Sequence, residues 1–220
     1  MTFYVITLFP QSMDSYLKES ILKRAIEDKK IKVVFINPRD FVSIKKGKKL
    51  TRSESRIDKK PYGGGPGMVI QAEPVIRAIE YAKSKIKNQK LKIIWTTNRG
   101  KQFTNLEAKK LSEEKDVVII CGRYEGIDSR VKKIFKTIDY SVGPYVLTGG
   151  ELPTMIMIDS IARQIPGILG DFESVEENRV ASEEVYTRPE SFKYKGKNYK
   201  VPKVLLSGNH KKIEEWRGKN

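Results

Sequence analysis

Residues 116–128 have the sequence DVVIICGRYEGID, and this stretch decides the fold class. It begins with a run of Val and Ile that is apolar on both faces, which is typical of a strand buried in a parallel sheet. At Gly122 the apolar run ends, and a polar turn leads into a predicted helix over Ile127–Lys136. A buried strand followed by a helix is the repeating unit of α/β folds, so we expect this class.

The same alternation of strand and helix runs through the amino-terminal part of the chain. The predicted strands are Phe3–Phe9, Ile31–Asn37, Leu91–Thr97 and Asp116–Gly122, and the predicted helices are Ser12–Lys30, Glu73–Asn88, Asn105–Glu114, Ile127–Lys136 and Thr154–Ile165. This order predicts a largely parallel sheet, and ligands of such sheets bind beyond the carboxyl ends of the strands. We predict an α/β domain over residues 1–169, an interdomain linker over 170–180, and a small, mainly helical carboxyl-terminal domain over 181–220. That last domain contains a Lys-rich turn (Phe192–Pro202) and a short helix near Asn209–Trp216.

The composition favours a polyanionic partner. Lys and Arg number 43 against 27 Asp and Glu, which gives a formal net charge of +16. Basic side chains gain affinity for nucleic acid by releasing the counterions that are condensed on phosphates. A Lys-rich solvated surface is the alternative, and charge alone does not distinguish RNA from DNA.

The counts of cysteine and histidine exclude several classes of site. Cys121 and His210 are the only residues of their types, so no disulfide forms within the chain and no Cys/His zinc cluster can be built. A Ser-His-Asp mechanism would depend on His210, which lies in a polar stretch far from any nucleophile elbow. No apolar run reaches the roughly 18 residues of a membrane span. We therefore expect a cytoplasmic protein with no membrane partner.

Three glycine-rich segments carry the chemistry: residues 61–68 (PYGGGPGM), 121–128 (CGRYEGID) and 141–153 (SVGPYVLTGGELP). The first segment lacks the Lys-Ser/Thr ending of a phosphate-binding loop, so we exclude an NTPase. Its glycines permit close approach of the backbone to a ligand, and the structural alternative is a tight multi-turn loop without a ligand. The third can wrap an adenine with backbone hydrogen bonds, whereas no Gly-x-Gly-x-x-Gly follows the first strand.

Two charged candidates also have structural alternatives. Asp128 can be an acid that caps a helix or lies in its first turn. Arg163 can be half of a surface ion pair with Asp159, four residues earlier on the predicted helix.

These segments resemble the TrmD-type tRNA methyltransferases in order and spacing. The matching strings are Pro61–Met68, Cys121–Asp128, Ser141–Pro153, Asp159–Gly170, Tyr186–Pro189 and Pro202–His210. The similarity extends from Leu8 to Arg217, nearly the whole chain, and such strings in one order are highly specific. The resemblance implies the knotted SPOUT class: an α/β domain that ends in a deep trefoil knot, an obligate homodimer, and S-adenosylmethionine bound in a bent conformation by the knot loops.

The resemblance also implies which residues form the sites. For cofactor binding they are Thr96, Thr97, Asn98, Gly122, Tyr124, Glu125, Ser141, Val142, Gly143, Pro144, Tyr145, Val146, Leu147, Gly149, Gly150 and Pro153. For tRNA binding they are Tyr62, Gly63, Gly64, Gly65, Arg163, Arg188, Ser207, Asn209 and His210. For catalysis they are Arg163 and the residue at position 178, which is Asn178 here, and Glu177 is a candidate that the family pattern does not itself supply. The resemblance further implies a composite active site, in which the knot of one subunit faces the small, tRNA-binding domain of the other, and assistance by Mg²⁺ without a dedicated protein site.

The chemistry of the reaction makes position 178 important. N1 of guanine carries a proton, which a carboxylate base removes, and a fixed Arg can stabilise the charge that then gathers on O6. The family has an Asp in a Ser-x-x-x-Asp-Ser-Phe string, but residues 174–180 here read SVEENRV, with Asn178 at the position of the Asp. A neutral amide cannot take the proton. Three alternatives stay open: Glu177 or Glu176 serves as the base after a local shift, which we favour; the chain binds both ligands without turnover; or the deprotonation occurs otherwise.

We therefore predict S-adenosylmethionine-dependent methylation of N1 of the guanine immediately 3′ of the anticodon in tRNA. The alternative is a homologue that binds tRNA and cofactor with little or no turnover because of Asn178. A generic nucleic-acid binder would leave the glycine loops at the strand ends unexplained. The sequence also departs from the family at Asn98 (usually Pro), at Pro144 (often Asp) and in the basic loop Ser43–Lys60, so adenine packing and part of the RNA contact are expected to differ.

Overall fold

The computed structural model describes residues 1–42, 56–86, 91–169 and 184–219. The chain divides into two compact units, Met1–Ile168 and Leu169–Asn220. The predicted linker over 170–180 lies outside the described residues, as do Glu177, Asn178 and most of the basic loop Ser43–Lys60.

The first unit is built on a five-stranded sheet whose strands are all parallel. Its strands and those of a small antiparallel ribbon are β1 (Thr2–Ile6), β2 (Lys32–Ile36), β3 (Asp58–Lys59), β4 (Val69–Ile70), β5 (Lys92–Gln102), β6 (Asp116–Ile120) and β7 (Ile138–Ser141). The helices are α1 (Asp14–Leu17), α2 (Ser20–Glu27), α3 (Ala72–Ser84), α4 (Asn105–Ser112), α5 (Arg130–Ile134) and α6 (Glu151–Arg163), with 3-10 turns at Pro10–Met13 and Pro38–Phe41. The strand order is β2-β1-β6-β5-β7. The predicted α/β class with a parallel sheet is confirmed.

Both faces of the sheet are buried under helices, which is why its central strands are apolar throughout. Along β6, Val117 and Ile119 point into one core, and Val118 and Ile120 point into the other. The first core also holds apolar residues of α2, α4 and α6, and the second holds those of α3 and α5. A parallel sheet covered in this way leaves the ends of its strands as the place for ligands to bind.

The predicted helix Ser12–Lys30 is broken into two. The break lies at Ser20, whose φ of 50° turns the backbone out of the helical region. The turn lets Leu17 of α1 and Leu22 of α2 be buried in the same core. The apolar spacing continues across the break, so spacing alone predicted one helix.

Three further predictions on the first unit need correction. β7 was not predicted as a strand, and neither was the short β3–β4 ribbon, in whose loop residues 61–68 lie. The helix predicted over Ile127–Lys136 starts only at Arg130, because the backbone at 126–128 is held by Ile70: its N–H donates to the Gly126 carbonyl, and its carbonyl accepts from the Asp128 N–H.

The second unit contains a hairpin that was not predicted, although more of its residues lie in helices than in strands. It consists of an antiparallel hairpin, β8 (Ser191–Tyr194) and β9 (Lys197–Lys200), and two short helices, α7 (Lys203–Leu206) and α8 (His210–Arg217). The predicted Lys-rich turn Phe192–Pro202 is therefore mostly strand. Its turn residues Lys195 and Gly196 both have positive φ, which is the backbone of a two-residue hairpin loop. In the described part of the chain no helix is long and apolar enough to cross a membrane.

Candidate active site

A segment that bulges out of β5, where its register with β7 shifts between Thr96 and Lys101, meets the loops that follow β6 and β7, and the three line a cavity of about 580 Å³. We call it the three-loop cavity. The loops come from the segments 96–99, 122–127 and 142–150. Its volume lies in the range of pockets that hold small cofactors, and its position is where parallel α/β sheets bind their ligands.

The cavity brings together nearly all of the residues predicted to bind the cofactor. Those that line it are Thr96, Thr97, Asn98, Gly122, Tyr124, Glu125, Ser141, Val142, Gly143, Tyr145, Val146, Leu147, Gly149, Gly150 and Pro153. Pro144 is exposed and is not among the lining residues. The lining also includes residues that the sequence did not single out, among them the cations Arg99, Arg123 and Lys132.

The loop after β7 reaches back across β5 to the loop after β6. β7 is the edge strand and β5 lies between it and β6, yet the Gly150 N–H donates to the Gly122 carbonyl at 2.9 Å. Arg123 and Gly149 form an antiparallel bridge beside this bond. A Cβ on Gly150 would lie 2.6 Å from the Cα of Cys121, so only glycine permits this approach.

A buried carboxylate joins the loops to the start of α6. Glu151 accepts a hydrogen bond from the Thr7 hydroxyl at 2.7 Å and from Nε of Arg123 at 2.8 Å. Its negative charge lies in the first turn of α6, where the helix dipole stabilises it. The Arg123 guanidinium also lies over the Phe9 ring, 4.7 Å from its centroid. The ion pair therefore holds Arg123, which lines the three-loop cavity, against the start of α6 and the segment after β1.

Two of the predicted cofactor residues use their hydroxyl groups inside the protein. The Thr96 hydroxyl donates to the Ile120 carbonyl at 3.0 Å, and the Ser141 hydroxyl donates to the Gly143 carbonyl at 2.9 Å. Both residues are buried. These side chains therefore hold the loops in shape, and the ligand-facing groups at these positions are mainly backbone.

Apolar and aromatic surface is exposed along the cavity. Tyr124, Tyr145 and Val146 are at least half exposed, and apolar surface that is grouped at a cavity indicates a ligand site. Tyr124 has a φ of 59°, a conformation that non-glycine residues adopt mostly at functional sites and turns.

The glycine-rich loop 61–68 adjoins the three-loop cavity through its last residues. The Glu125 N–H donates to the Met68 carbonyl at 3.0 Å, and a Cβ on Gly67 would strike the Glu125 carboxylate. The predicted tRNA residues Tyr62, Gly63, Gly64 and Gly65 lie further along this loop, fully exposed, and the three glycines have positive φ. The loop is thus an exposed projection anchored beside a cofactor loop.

Asp128 lies one residue before Ser129, the N-cap of α5, so it is neither the cap nor in the first turn, but its carboxylate is used within the protein. Its carboxylate accepts from the Arg130 N–H at 2.9 Å and pairs with the Arg130 guanidinium, which lowers the pKa of Asp128 below its usual value. The ion pair suggested for Asp159 and Arg163 does not form. Asp159 instead accepts from the Tyr16 hydroxyl, which raises the pKa of Tyr16.

Arg163 lies at the far end of α6 from the three-loop cavity. The helix begins beside the cavity at Glu151 and ends at Arg163, which places the two ends about 18 Å apart at 1.5 Å per residue. Arg163 is partly exposed and makes no ion pair with any described residue. Its guanidinium is therefore available to a ligand, but not to one in the cavity of the same chain.

The other predicted tRNA residues lie in the second unit, around the turn between α7 and α8. The Ser207 hydroxyl donates to the Val204 carbonyl and accepts from the Asn209 N–H, and the Asn209 side chain caps α8 by accepting from the Lys212 N–H. His210 and Arg188 are exposed. Ser207 and Asn209 thus shape the turn that presents His210.

No group of three or more His, Cys, Asp or Glu side chains among the described residues could hold a metal ion. Cys121 is buried against the Thr154 hydroxyl, and burial raises the pKa of its thiol. A thiolate at this position is therefore disfavoured at neutral pH.

The chain is similar to known proteins over its whole length. The family model described as tRNA (Guanine-1)-methyltransferase TrmD matches residues 1–220. The tRNA (guanine-N(1)-)-methyltransferase of Clostridioides difficile is 44% identical over 99% of this chain and 90% of its own length. That of Pseudoalteromonas atlantica is 41% identical over 99% of this chain and 78% of its own length. The crystal structure of a tRNA (m1G37) methyltransferase from Aquifex aeolicus has a TM-score of 0.77 and 35% identity, and covers 100% of this chain and 88% of its own.

Proposed function

Since the chain belongs to the TrmD family of tRNA (guanine-1)-methyltransferases, we propose that it methylates N1 of the guanine immediately 3′ of the anticodon in tRNA, with S-adenosylmethionine as the methyl donor. The observation that carries the proposal is the three-loop cavity, which gathers the family's cofactor segments at one end of the sheet. We infer that the reaction takes place in the cytoplasm. The chain has a single cysteine and so no internal disulfide, which is typical of proteins in a reducing compartment.

The lining of the three-loop cavity suits the cofactor. Tyr145, Val146 and Leu147 offer apolar surface to an adenine ring, and the Gly122 and Gly149 backbone allows close approach. The Glu125 carboxylate complements a sulfonium cation, while Arg99 and Lys132 complement a carboxylate. When bound, S-adenosylmethionine supplies an electrophilic methyl group.

The protein's own part in the reaction is to move one proton and to stabilise one charge. A base takes the proton from guanine N1, and the Arg163 guanidinium stabilises the negative charge that develops on O6. The amide of Asn178 can accept a hydrogen bond from N1–H but cannot take its proton. We assign the base to Glu177, with Glu176 as its neighbouring alternative.

The rise of about 15 Å along α6 from Pro153, which lines the cavity, to Arg163 supports a site shared by two subunits. One chain would supply the three-loop cavity, and the partner chain would supply Arg163 together with its small domain. We therefore propose a homodimer with two equivalent composite sites, as two-fold symmetry requires. The return of the loop after β7 across β5 supports a deep trefoil knot, in which segment 142–150 and α6 pass the loop that follows β6. Mg²⁺ would assist as a solvent ion.

Complementation between subunits tests the shared site. Arg163→Ala and Gly122→Val each inactivate a homodimer if both parts are needed, because the first loses the Arg and the second adds a side chain to the cavity lining, at a position where a Cβ meets no atom within 4 Å. Co-expressed at equal amounts, the two variants form about half heterodimers, and each of these carries one intact composite site. We expect about a quarter of the activity of the unaltered chain. No recovery of activity would place Arg163 and the cavity in the same subunit's site.

The identity of the base is tested by three variants assayed for transfer of labelled methyl to unmodified tRNA. We expect the unaltered chain to turn over, Glu177→Gln to lose about 10²–10⁴-fold in kcat, and Asn178→Asp to change kcat little. If transfer occurs only after Asn178→Asp is made, the unaltered chain is a tRNA- and cofactor-binding homologue without turnover. Full activity of both Glu177→Gln and Glu176→Gln would remove both glutamates as the base.

A further inference from the structure

The β8–β9 hairpin of the second unit separates its side chains into two chemically different faces. Cross-strand partners share a face of a hairpin, and alternate residues along a strand point to opposite faces. The pairs Phe192–Tyr199 and Tyr194–Lys197 therefore occupy one face, and Ser191–Lys200 and Lys193–Asn198 occupy the other. We call the first the aromatic face.

The rings of the aromatic face are open to solvent. Phe192 is 59% exposed, Tyr194 is 57% exposed and Tyr199 is 42% exposed. Phe192 and Tyr199 stack across the strands with their ring centroids 5.5 Å apart and their planes at 16°. The pair stabilises the hairpin, but this does not account for the exposure of Tyr194, whose cross-strand partner is Lys197. The exposed ring of Tyr194 therefore has no role in cross-strand stacking within the hairpin.

Ammonium groups border these rings. Lys197 Nζ lies 5.5 Å from the centroid of the Tyr199 ring, and Lys195 Nζ lies 5.5 Å from that of Tyr194. Lys193 and Lys200 add two charges on the opposite face, and residues 191–200 contain no acidic residue. Protein–protein interfaces are depleted of Lys at their cores, whereas surfaces that bind single-stranded nucleic acid combine aromatic rings with basic side chains.

We propose that the aromatic face of the β8–β9 hairpin is an RNA-binding platform on which unpaired bases of the tRNA stack. Tyr194 and the Phe192–Tyr199 pair provide the stacking surfaces, and Lys195 and Lys197, which border these rings, contact the adjoining phosphates. Paired bases in an A-form helix do not present a free ring face, so the ligand is a loop or an unpaired segment of the tRNA. The inference rests on the proposed function, because it assumes that tRNA is the substrate.

Because the register assigns each residue of the hairpin to one face, variants on the two faces can be compared directly. Tyr194→Thr removes a ring but keeps a residue that favours strands, and Tyr199→Val does the same for the stacked pair. Asn198→Thr makes the same kind of change on the opposite face without removing a ring or a charge, so it is the control. Lys197→Gln removes one charge and leaves the three rings in place.

The experiment measures the affinity of the full chain for unmodified tRNA by fluorescence anisotropy at several salt concentrations. We expect Tyr194→Thr and Tyr199→Val each to weaken binding by about 5- to 100-fold with an unchanged dependence on salt, since stacking involves no counterion release. Lys197→Gln is expected to reduce the slope of log affinity against log salt by about 0.7–0.9. Asn198→Thr is expected to bind within twofold of the unaltered chain.

The results that would overturn the platform differ from the result that would overturn the proposed function. Unaltered affinity of Tyr194→Thr and Tyr199→Val, with methyl transfer intact, would overturn the platform and leave the proposed function standing. A change of the same variants from dimer to monomer by light scattering would make the aromatic face an interface between two copies of the chain. Failure of the unaltered chain itself to bind tRNA would remove the proposed function, and the platform with it.

Discussion

The hydroxyl of Tyr140 donates a hydrogen bond to the buried carboxylate of Glu107, which ties β7 to α4 behind the three-loop cavity. The same carboxylate accepts from Lys101 Nζ at 2.7 Å and lies 3.4 Å from Lys110 Nζ. The bonds from Lys101 and Tyr140 lower the pKa of Glu107 to about 2, although burial by itself would raise it. Tyr140 lines the cavity, so this cluster holds a cavity wall in place.

The Glu107 cluster makes stability depend on pH in the acid range. A carboxyl whose pKa is lower in the folded than in the unfolded chain stabilises the fold above its unfolded pKa, near 4.5, and this contribution is lost as the pH falls toward 2. We expect Glu107→Gln to lower the free energy of unfolding at pH 7 by roughly 2 kcal/mol, after allowance for the exposed Lys partners. The difference between the two proteins should shrink between about pH 5 and pH 2.

Chemical denaturation at a series of pH values measures this difference. Tyr140→Phe is the matched variant, because it removes one of the donors and keeps the ring. It should show a smaller loss at pH 7 over the same pH range. A difference between Glu107→Gln and the unaltered chain that stays constant from pH 7 to pH 2 would contradict the account.

Two glycines at the three-loop cavity should respond differently to alanine. On Gly150 a Cβ would meet the Thr96 hydroxyl at 2.3 Å and the Cys121 backbone, so Gly150→Ala should destabilise the fold by about 1–3 kcal/mol. On Gly122 a Cβ would meet no atom within 4 Å. Gly122→Ala should therefore fold normally yet bind S-adenosylmethionine more weakly, because the new methyl group lies on the cavity lining.

Thermal denaturation and calorimetric titration with S-adenosylmethionine separate these two effects. Equal melting temperatures for both variants would mean that the loops are less closely packed than the structure has them. Unchanged cofactor affinity of Gly122→Ala would mean that the cofactor does not lie against this residue.

The buried ion pair between Arg123 and Glu151 should matter more than an exposed pair of similar geometry. Glu151→Gln leaves the Arg123 guanidinium partly buried without its counter-charge, and we expect a loss of about 1–3 kcal/mol in stability and weaker cofactor binding. Asp128→Asn breaks the exposed pair with Arg130 and should cost less than about 1 kcal/mol. Urea denaturation of both variants makes the comparison, and a larger loss for Asp128→Asn would contradict it.

Removal of the Arg163 side chain should reduce turnover without affecting the fold. Arg163 forms no ion pair with described residues, so Arg163→Ala should change stability by less than about 0.5 kcal/mol. Loss of a charge-stabilising donor should lower kcat by about 10²–10³-fold, with cofactor affinity unchanged. Arg163→Lys keeps the charge but not the planar fork, and should recover part of the activity. An unchanged kcat for Arg163→Ala would show that this residue does not act in the reaction.

The sequence predicted the parts of the fold in which local pattern and tertiary burial agree. β6 is apolar on both faces because helices cover both faces, so its pattern and its environment give the same answer. β7 was missed because it spans four residues, and Asp139 interrupts its apolar run. The break at Ser20 was missed because the apolar spacing continues through it.

The candidate site was predictable where glycine marks a close approach of backbones, as at Gly122 and Gly150. It was not predictable where a charged side chain lines the cavity only because a distant segment folds back over it. Lys132 belongs to the short helix α5, whose sequence of basic residues is typical of a solvated surface. It lines the cavity because segment 142–150 returns across β5. The bond from Tyr140 to Glu107 joins residues that are 33 positions apart, and no local pattern marks it.

The most direct test of the central claim is to map the methyl group that the unaltered chain transfers to a tRNA transcript. Labelled S-adenosylmethionine, nuclease digestion and mass spectrometry identify both the base and its position. The account predicts one N1-methylguanine, immediately 3′ of the anticodon, and no transfer when that guanine is replaced by adenine. Transfer to another position, or binding of both ligands without any transfer, would contradict it.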